Sequence, residues 1–431
     1  MTCSMEEART KGIMKIGYAC KLIGVPNTNT KSCTLKSATS ERLSELIEHN
    51  IGALNNAIDY NIDNNIKLFR ISSDIIPFGS SEINQVKWWE IFSQELDSIG
   101  KKIKESNMRV SVHPGQYTVL NSNNEDVVKK AVDDLIYHTR ILDSLKVNCN
   151  HKMVLHIGGA YDDKKKAIQR FMDNYSLLED NVKKRLVIEN DDKIYNIEEV
   201  LDIGIKLDMP VIFDNLHHEI NRPDNPMDEK YWIDQCKNTW KREDGPQKVH
   251  YSQQAKDKKT GSHSDFIGIE KFLDFLEGLE RNDIDIMLEV KDKNLSCIKC
   301  INCTDPNLRI NALEKEWSKY KYTILEHSHI AYLKMRNLLK DKEEFNPVLF
   351  YTILENGLEK DRDTGSFENA ALHVWGYFKN KASEKERNDF FKQIERFKKQ
   401  EIGINIVKNN LRKLTEKYKE SYLLNSYYFD L

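Results

Sequence analysis

The chain has 431 residues, with 65 Lys and Arg against 68 Asp and Glu, a net charge of −3 and an apolar fraction of 39%. That length gives room for two or three domains at roughly 150 residues each, and the composition is that of an ordinary soluble globular protein. No apolar stretch approaches the ~20 residues of a membrane helix, the N-terminal MTCSMEEARTKG is no secretory signal, and eight scattered Cys point to a reducing cytoplasm rather than a disulfide framework.

Eight short β-rich runs follow in chain order: KIGYAC (15–20), LFRISS (68–73), RVSVHPG (109–115), MVLHIGG (153–159), LVIEND (186–191), PVIFDN (210–215), KVHYSQ (248–253) and DIMLEV (285–290). Helical periodicity separates most of them. SERLSELIEHNIGALNNAIDY (40–60) opens on a Ser N-cap and is apolar about every third or fourth position, and VKWWEIFSQELDSIGKKIKES (86–106) is a second such stretch. Eight strand–helix alternations over ~280 residues predict an α/β fold, a (β/α)₈ barrel. A doubly wound open sheet is the alternative, but no GxGxxG follows the first strand.

Residues 295–305, LSCIKCINCTD, read as a Cys-containing linker after the eighth strand. Residues 306–431 then lose the strand pattern and predict a smaller all-helical domain. They carry 23 Lys and Arg against 19 Asp and Glu, so the surplus of four there leaves a deficit of seven on the first 305 residues. An acidic barrel suits a nucleic-acid partner only if its carboxylates cluster around divalent cations, whose charge must also be counted.

In a barrel, function sits at the C-terminal ends of the strands. Those ends here carry Tyr18, Arg70, Ser72, His113, His156, Glu189, Asp214, His250 and Glu289, where a packing core would place Val, Ile and Ala. DNLHH adds His217 three residues after Asp214, and GSHSDF adds His263 in the next loop. Lys248 shares a side of its strand with His250 by period-two alternation. Any one of these histidines alone is an ordinary structural residue. Chance does not put all eight of His113, His156, Glu189, Asp214, His217, His250, His263 and Glu289 at strand ends or in the loops after them. Imidazoles and carboxylates suit Mn, Fe and Zn, and clustered divalent ions suit phosphodiester hydrolysis.

Together GYAC (17–20), FRISSDIIP (69–77), SVHPGQY (111–117), LHIGG (155–159), VIEND (187–191), FDNLHH (213–218), KVHYS (248–252), GSHSDF (261–266) and MLEVKDK (287–293) resemble the UV damage endonuclease family, a TIM-barrel relative of endonuclease IV. The resemblance spans residues 13–294. It implies a nick immediately 5′ to UV photoproducts (pyrimidine dimers and 6-4 products) and other lesions including abasic sites, in damaged double-stranded DNA, leaving a 3′-hydroxyl and a 5′-phosphate. It implies two or three Mn²⁺ on the eight residues just named, with Glu189, Glu289 and Lys248 catalytic and Lys248 carboxylated. Gln116 and Tyr117 match the pair that the family pushes into the duplex at the lesion, and Tyr18 matches a second probe whose partner Asn is Leu22 here. Arg70 reads equally as a phosphate contact or a barrel-mouth residue. A monomer in the cytoplasm, associated with the nucleoid, is expected.

Other readings share parts of this pattern. A metal-dependent sugar isomerase of the same barrel class would not need the Gln116–Tyr117 tip. An abasic-site-only endonuclease would accommodate Leu22. A lesion binder without turnover would have shed ligands, and the set is complete.

Cys297, Cys300 and Cys303 form C-x₂-C-x₂-C, three-quarters of a four-Cys metal spacing, against the reading of a linker that is merely Cys-rich. The tail resembles a helical YbgA-like domain of unknown function through LEHSHIAYLKMRNLL (325–339), ALHVWGYFKNKASEKER (371–387) and SYLLNSYYF (421–429). Within it, HVWGYFK reads as a helix burying Val374, Trp375 and Phe378 in its own core.

Overall fold

The structure is a computed structural model that describes residues 14–161 and 163–431. All eight expected strands form: β1 (Ile16–Ala19), β2 (Leu68–Arg70), β3 (Arg109–Ser111), β4 (Met153–His156), β5 (Leu186–Glu189), β6 (Val211–Asp214), β7 (Lys248–Tyr251) and β8 (Asp285–Leu288). They are parallel, in the order β3-β2-β1-β8-β7-β6-β5-β4. A single bridge, Val112 to Met153, brings the outer strands β3 and β4 together, with Val112 N donating to Lys152 O (3.1 Å) and Val154 N to Val112 O (3.0 Å). The result is a nearly closed, TIM-barrel-like (β/α)₈ fold, not the open doubly wound sheet.

Helices follow the strands as the periodicity predicts, with two local differences. The helix Ser40–Asp63 is capped by Thr39, whose hydroxyl accepts from Arg42 N, one residue earlier than the expected Ser40. The second expected helix is broken into Trp88–Ile91 and Ser93–Glu105, with Phe92 ending one and preceding the other.

The barrel interior is layered by period-two alternation. Val154, Val187 and Ile212 form a buried apolar cluster floored by Trp240. Each stands two residues below a polar strand end: His156, Glu189 and Asp214. At the opposite mouth Arg109 donates to Asp285 (2.9 Å), Asn150 O (2.8 Å), Pro246 O (2.6 Å) and Asp244 O (2.7 Å), so that buried charge is fully partnered.

The chain divides into two compact units, the first chiefly Pro26–Ile267 and Phe272–Ile298 with β1, the second chiefly Lys299–Leu431. In the second, the helices Thr364–Trp375, Glu384–Lys398 and Ile404–Lys417 enclose Phe367, Val374, Trp375, Phe378, Phe390, Ile394 and Leu411. Trp375 stacks on Phe390 at 4.6 Å and 6°. Val374, Trp375 and Phe378 are thus core, as read from the sequence.

The expected Cys linker is instead a helix, Asn294–Thr304. Leu295 and Ile298 are buried together with Cys297 and Cys300, so the cysteines serve as small apolar residues on a packed face. Burial raises the Cys297 thiol well above its usual range. Among the described residues the three cysteines belong to no group able to hold a metal.

Candidate metal centre

Glu189 closes β5 at the centre of the site, 2% exposed. Its Oε1 lies 2.9 Å from His113 Nε2 and 2.9 Å from His156 Nε2. Its Oε2 lies 2.5 Å from His250 Nδ1. The ligand-bearing atoms fall into two groups, His113–His156–Glu189 and Glu189–Asp214–His250, each within 4.8 Å, with Glu189 common to both. Glu189 thus turns one oxygen toward each of the two groups of donors that could hold a divalent ion.

The remaining expected ligands border these triads. The His217 ring lies 6.0 Å from that of His156, and its Nδ1 donates to Asn190 O at 3.0 Å, leaving Nε2 for a ligand. Glu289 Oε1 is 3.4 Å from His250 Nδ1, and its Oε2 is 3.8 Å from His263 Nε2. Arg70 Nη2 contacts Glu289 at 2.6 Å and donates to His250 Nε2 at 2.9 Å. Arginine only donates, so Nε2 accepts from Arg70 and Nδ1 is the nitrogen turned toward Glu189. Arg70 therefore braces the centre from inside the barrel mouth.

The donor set fits divalent ions. Among the described residues, His156 Nδ1 and Asp214 Oδ2 are buried with no hydrogen-bond partner, an expensive state that an ion or its water relieves. Burial raises Asp214 to about 6 against the pull of His217. Burial opposes charge on His217, yet Asp214 and Glu189 hold it up at about 9. Glu189 is buried too, but His250 and His156 bring it well below the usual carboxylate range. Carboxylate charge thus favours the protonated form of His156 and His217, as it would favour a cation, while burial outweighs it at His113 and His250.

Two asparagines, unmarked in the sequence reading, orient these groups. Asn190 donates to Asp214 O (3.0 Å) and accepts from Asp214 N (2.9 Å). Asn215 makes the same pair with Ser252 O (3.0 Å) and Ser252 N (2.8 Å). Each side-chain amide stands in for a ladder bond just past a strand end. The available signal was an Asn directly after the acidic residue in both VIEND and FDNLHH.

Lys248 lies deeper, fully enclosed, with no partner for Nζ. Burial, then Arg109, push its amine far below the usual lysine range. Gln116 and Tyr117 face the other way: both are exposed, Tyr117 at 69%. A Cβ on Gly115 would come within 2.5 Å of the Tyr117 ring, so only glycine lets that ring fold back over the turn.

Tyr18 is a correction. It is 0% exposed, packs on Phe69 at 5.3 Å and donates to Asn61 in the helix Ser40–Asp63 at 2.8 Å. Ala19 pairs with Arg70, which enters the barrel, so Tyr18 beside Phe69 takes the opposite, helix-facing side. It is not placed to touch DNA.

The family described as UV-endonuclease UvdE matches residues 14–320, and one described as a protein of unknown function (DUF1722) matches 321–431. A UV DNA damage endonuclease of Clostridium perfringens (strain 13 / Type A) is 42% identical over 385 residues, covering 88% of this chain and 92% of that one. One from Bacillus cereus (strain G9842) is 33% identical over 300 residues, covering 67% and 94%. The crystal structure of SacUVDE aligns with a TM-score of 0.63 at 37% identity, covering 67% of this chain and 96% of that chain.

Proposed function

The chain belongs to the UV-endonuclease UvdE family, and on that premise we propose that this DNA-repair endonuclease is divalent-metal-dependent and cuts damaged duplex DNA immediately 5′ to the lesion. The products are a 3′-hydroxyl and a 5′-phosphate. Pyrimidine dimers and 6-4 products are its substrates, with abasic sites also cut. The endonuclease domain is assigned to residues 13–294 and the helical domain to 306–431. No helix among the described residues is long and apolar enough to cross a membrane, and a site of action on chromosomal DNA in the cytoplasm accords with the family.

The observation that carries the reading is the double use of Glu189 between two ligand triads. Two manganese ions are assigned to His113, His156, Glu189, Asp214 and His250, with a third near His217, His263 and Glu289. When bound, such ions polarise the phosphate oxygens and lower the pKa of water. The protein's own part is positional. Asn190 fixes Asp214 and His217, and Arg70 fixes Glu289 and His250. Burial lowers the proton affinity of the Lys248 amine, and the neutral amine is the form that adds to carbon dioxide, giving a carbamate and releasing a proton. Carboxylation there would supply an anion beneath the site.

Gln116 and Tyr117 are assigned to the lesion. A planar amide and an aromatic ring replace the stacking of extruded bases, and a lesion that weakens stacking lowers the extrusion cost by a few kcal/mol. The deciding experiment uses end-labelled duplexes holding one cyclobutane dimer, one abasic site or no damage, with Mn²⁺ or chelator. A chelator-sensitive cut directly 5′ to the dimer is expected. Cutting of the abasic duplex alone would replace this reading with an abasic-site endonuclease.

A further inference from the structure

The helical unit carries a surface that contributes no residue to the two candidate ligand groups. Its helices Ile310–His327 and His329–Leu338 present two i, i+4 pairs side by side, Trp317 with Lys321 and Tyr332 with Arg336. Trp317 packs on Tyr332 at 5.2 Å, and exposed His329 lies parallel to Tyr332 at 6.1 Å and 15°. The aromatic surface continues through Tyr377 and Tyr422, stacked at 5.7 Å and 11°. Both hang on the buried Tyr322, whose hydroxyl meets that of Tyr377 at 2.9 Å. Trp317, Tyr332, Tyr377 and Tyr422 are all half-exposed.

Two cations border these rings. Lys321 Nζ stands 5.0 Å from the Tyr322 ring centroid. Burial and the like charge of Arg336 lower its pKa. Among the described residues neither Lys321 nor Arg336 has an ion-pair partner. Like charges kept together, without a carboxylate and beside half-exposed π faces, are at odds with a merely solvated surface. A helical core needs rings inside, and this unit has them in Phe367, Trp375, Phe378 and Phe390. Tyr332, Tyr377 and Tyr422 pack against that core on one side and stay half-exposed on the other; beside two cations without an ion-pair partner among the described residues, they match a ligand that brings flat faces and negative charge together.

We propose that this surface binds single-stranded nucleic acid, bases against the Trp317, Tyr332, Tyr377 and Tyr422 rings and phosphates at Lys321 and Arg336. Base–aromatic stacking with cations along the backbone is the sequence-tolerant mode of strand binding, and cations near rings add to it. The proposal stands apart from the metal centre, which the test exploits.

The test uses the full chain in chelator, with fluorescein-labelled dT₁₂, rU₁₂ and thymidine 5′-monophosphate followed by anisotropy. Tyr422→Ala is expected to weaken dT₁₂ or rU₁₂ binding roughly tenfold, the scale of one lost stacked base, and Arg336→Glu to weaken it and reduce its salt dependence. Tyr422→Phe, which keeps the ring, is expected to retain it. Nicking of a dimer-containing duplex in Mn²⁺ stays at the wild-type rate in all three variants, which also shows that they fold. Preference for dT₁₂ or rU₁₂ identifies the strand as DNA or RNA, and either carries the proposal. Unchanged strand affinity in Tyr422→Ala and Arg336→Glu overturns it, as does binding of the mononucleotide as tight as that of the twelve-mers.

Discussion

Thr118 Oγ1 donates to Asp134 Oδ2 at 2.6 Å, with both residues buried. Thr118 directly follows the exposed Gln116 and Tyr117, and its own N–H closes the turn onto Gly115 O at 2.9 Å. Asp134 belongs to the helix Glu125–Ser144. The tip proposed to enter DNA is therefore tethered to the barrel's outer helix by one short, charge-assisted bond. Thr118→Val is expected to deprive the buried Asp134 carboxylate of its 2.6 Å donor, leaving His138 Nδ1 at 3.6 Å as its neighbour and costing about 1–3 kcal/mol of stability. It should also blur the preference for damaged over undamaged duplex, with Thr118→Ser restoring both. Unchanged discrimination in Thr118→Val, measured as the ratio of nicking rates on the two duplexes, would show that the tip orients itself.

Glu189 and Asn190 make separable predictions at the metal centre. Glu189→Gln removes the anion common to both triads. Metal content by elemental analysis should fall below one ion per chain and nicking should vanish. Asn190→Ala leaves every ligand in place but removes the side-chain pair that holds the Asp214 backbone, while the Asn190 carbonyl that accepts from His217 remains. Loss of an outer-shell partner costs about 10–100-fold in metal affinity, so excess Mn²⁺ should rescue Asn190→Ala and not Glu189→Gln. Equal rescue of both would remove Glu189 from its bridging place.

The strands and most of the centre were legible because they follow from one rule. Period-two alternation with a polar residue at each strand's end puts His156, Glu189 and Asp214 above Val154, Val187 and Ile212, and both layers can be read along a single line of sequence. Tyr18 failed because its facing depends on register with β2, which pairs it with Phe69 and is not written in GYAC. The Cys stretch reads as a linker from its polar residues, whereas Leu295, Cys297, Ile298 and Cys300 sit on a packed helical face. Asn190 and Asn215 escaped notice because their value lies in bridging the ends of neighbouring strands, a relation between segments rather than within one.

His151 gives the barrel an acid sensitivity independent of metal. Its Nδ1 accepts from Val110 N at 3.0 Å, so the fold requires the neutral ring. Burial, reinforced by Arg109 and Arg185, lowers its pKa to about 3. A folded value below the unfolded one means that this contribution is whole above about pH 6.5 and is lost as pH falls toward 3. The slope is about 1.4 kcal/mol per pH unit for the one proton. Urea midpoints taken in chelator should drop between pH 7.5 and 5.5, and His151→Gln should flatten that drop. A variant with the wild-type pH dependence would assign the acid loss elsewhere.

The hairpin after β7 predicts a salt effect. Gln254 and His263 pair as an antiparallel bridge, and Ala255 N bonds Ser262 O at 2.7 Å. Between them Lys256, Lys258 and Lys259 are exposed, with only Asp257 opposing their charge. The segment that leads to His263, an expected ligand, thus carries three cations after β7, where the backbone of the proposed substrate is expected to run. Each lost phosphate contact reduces the slope of log binding constant against log salt by about 0.9 for duplex DNA. Replacing all three lysines by Ala should flatten that slope by roughly two to three units on the same counting, while metal content stays at the wild-type level because the Gln254–His263 pairing is untouched. An unaltered slope would mean that the duplex passes clear of this hairpin, and that His263 is held for the metal alone.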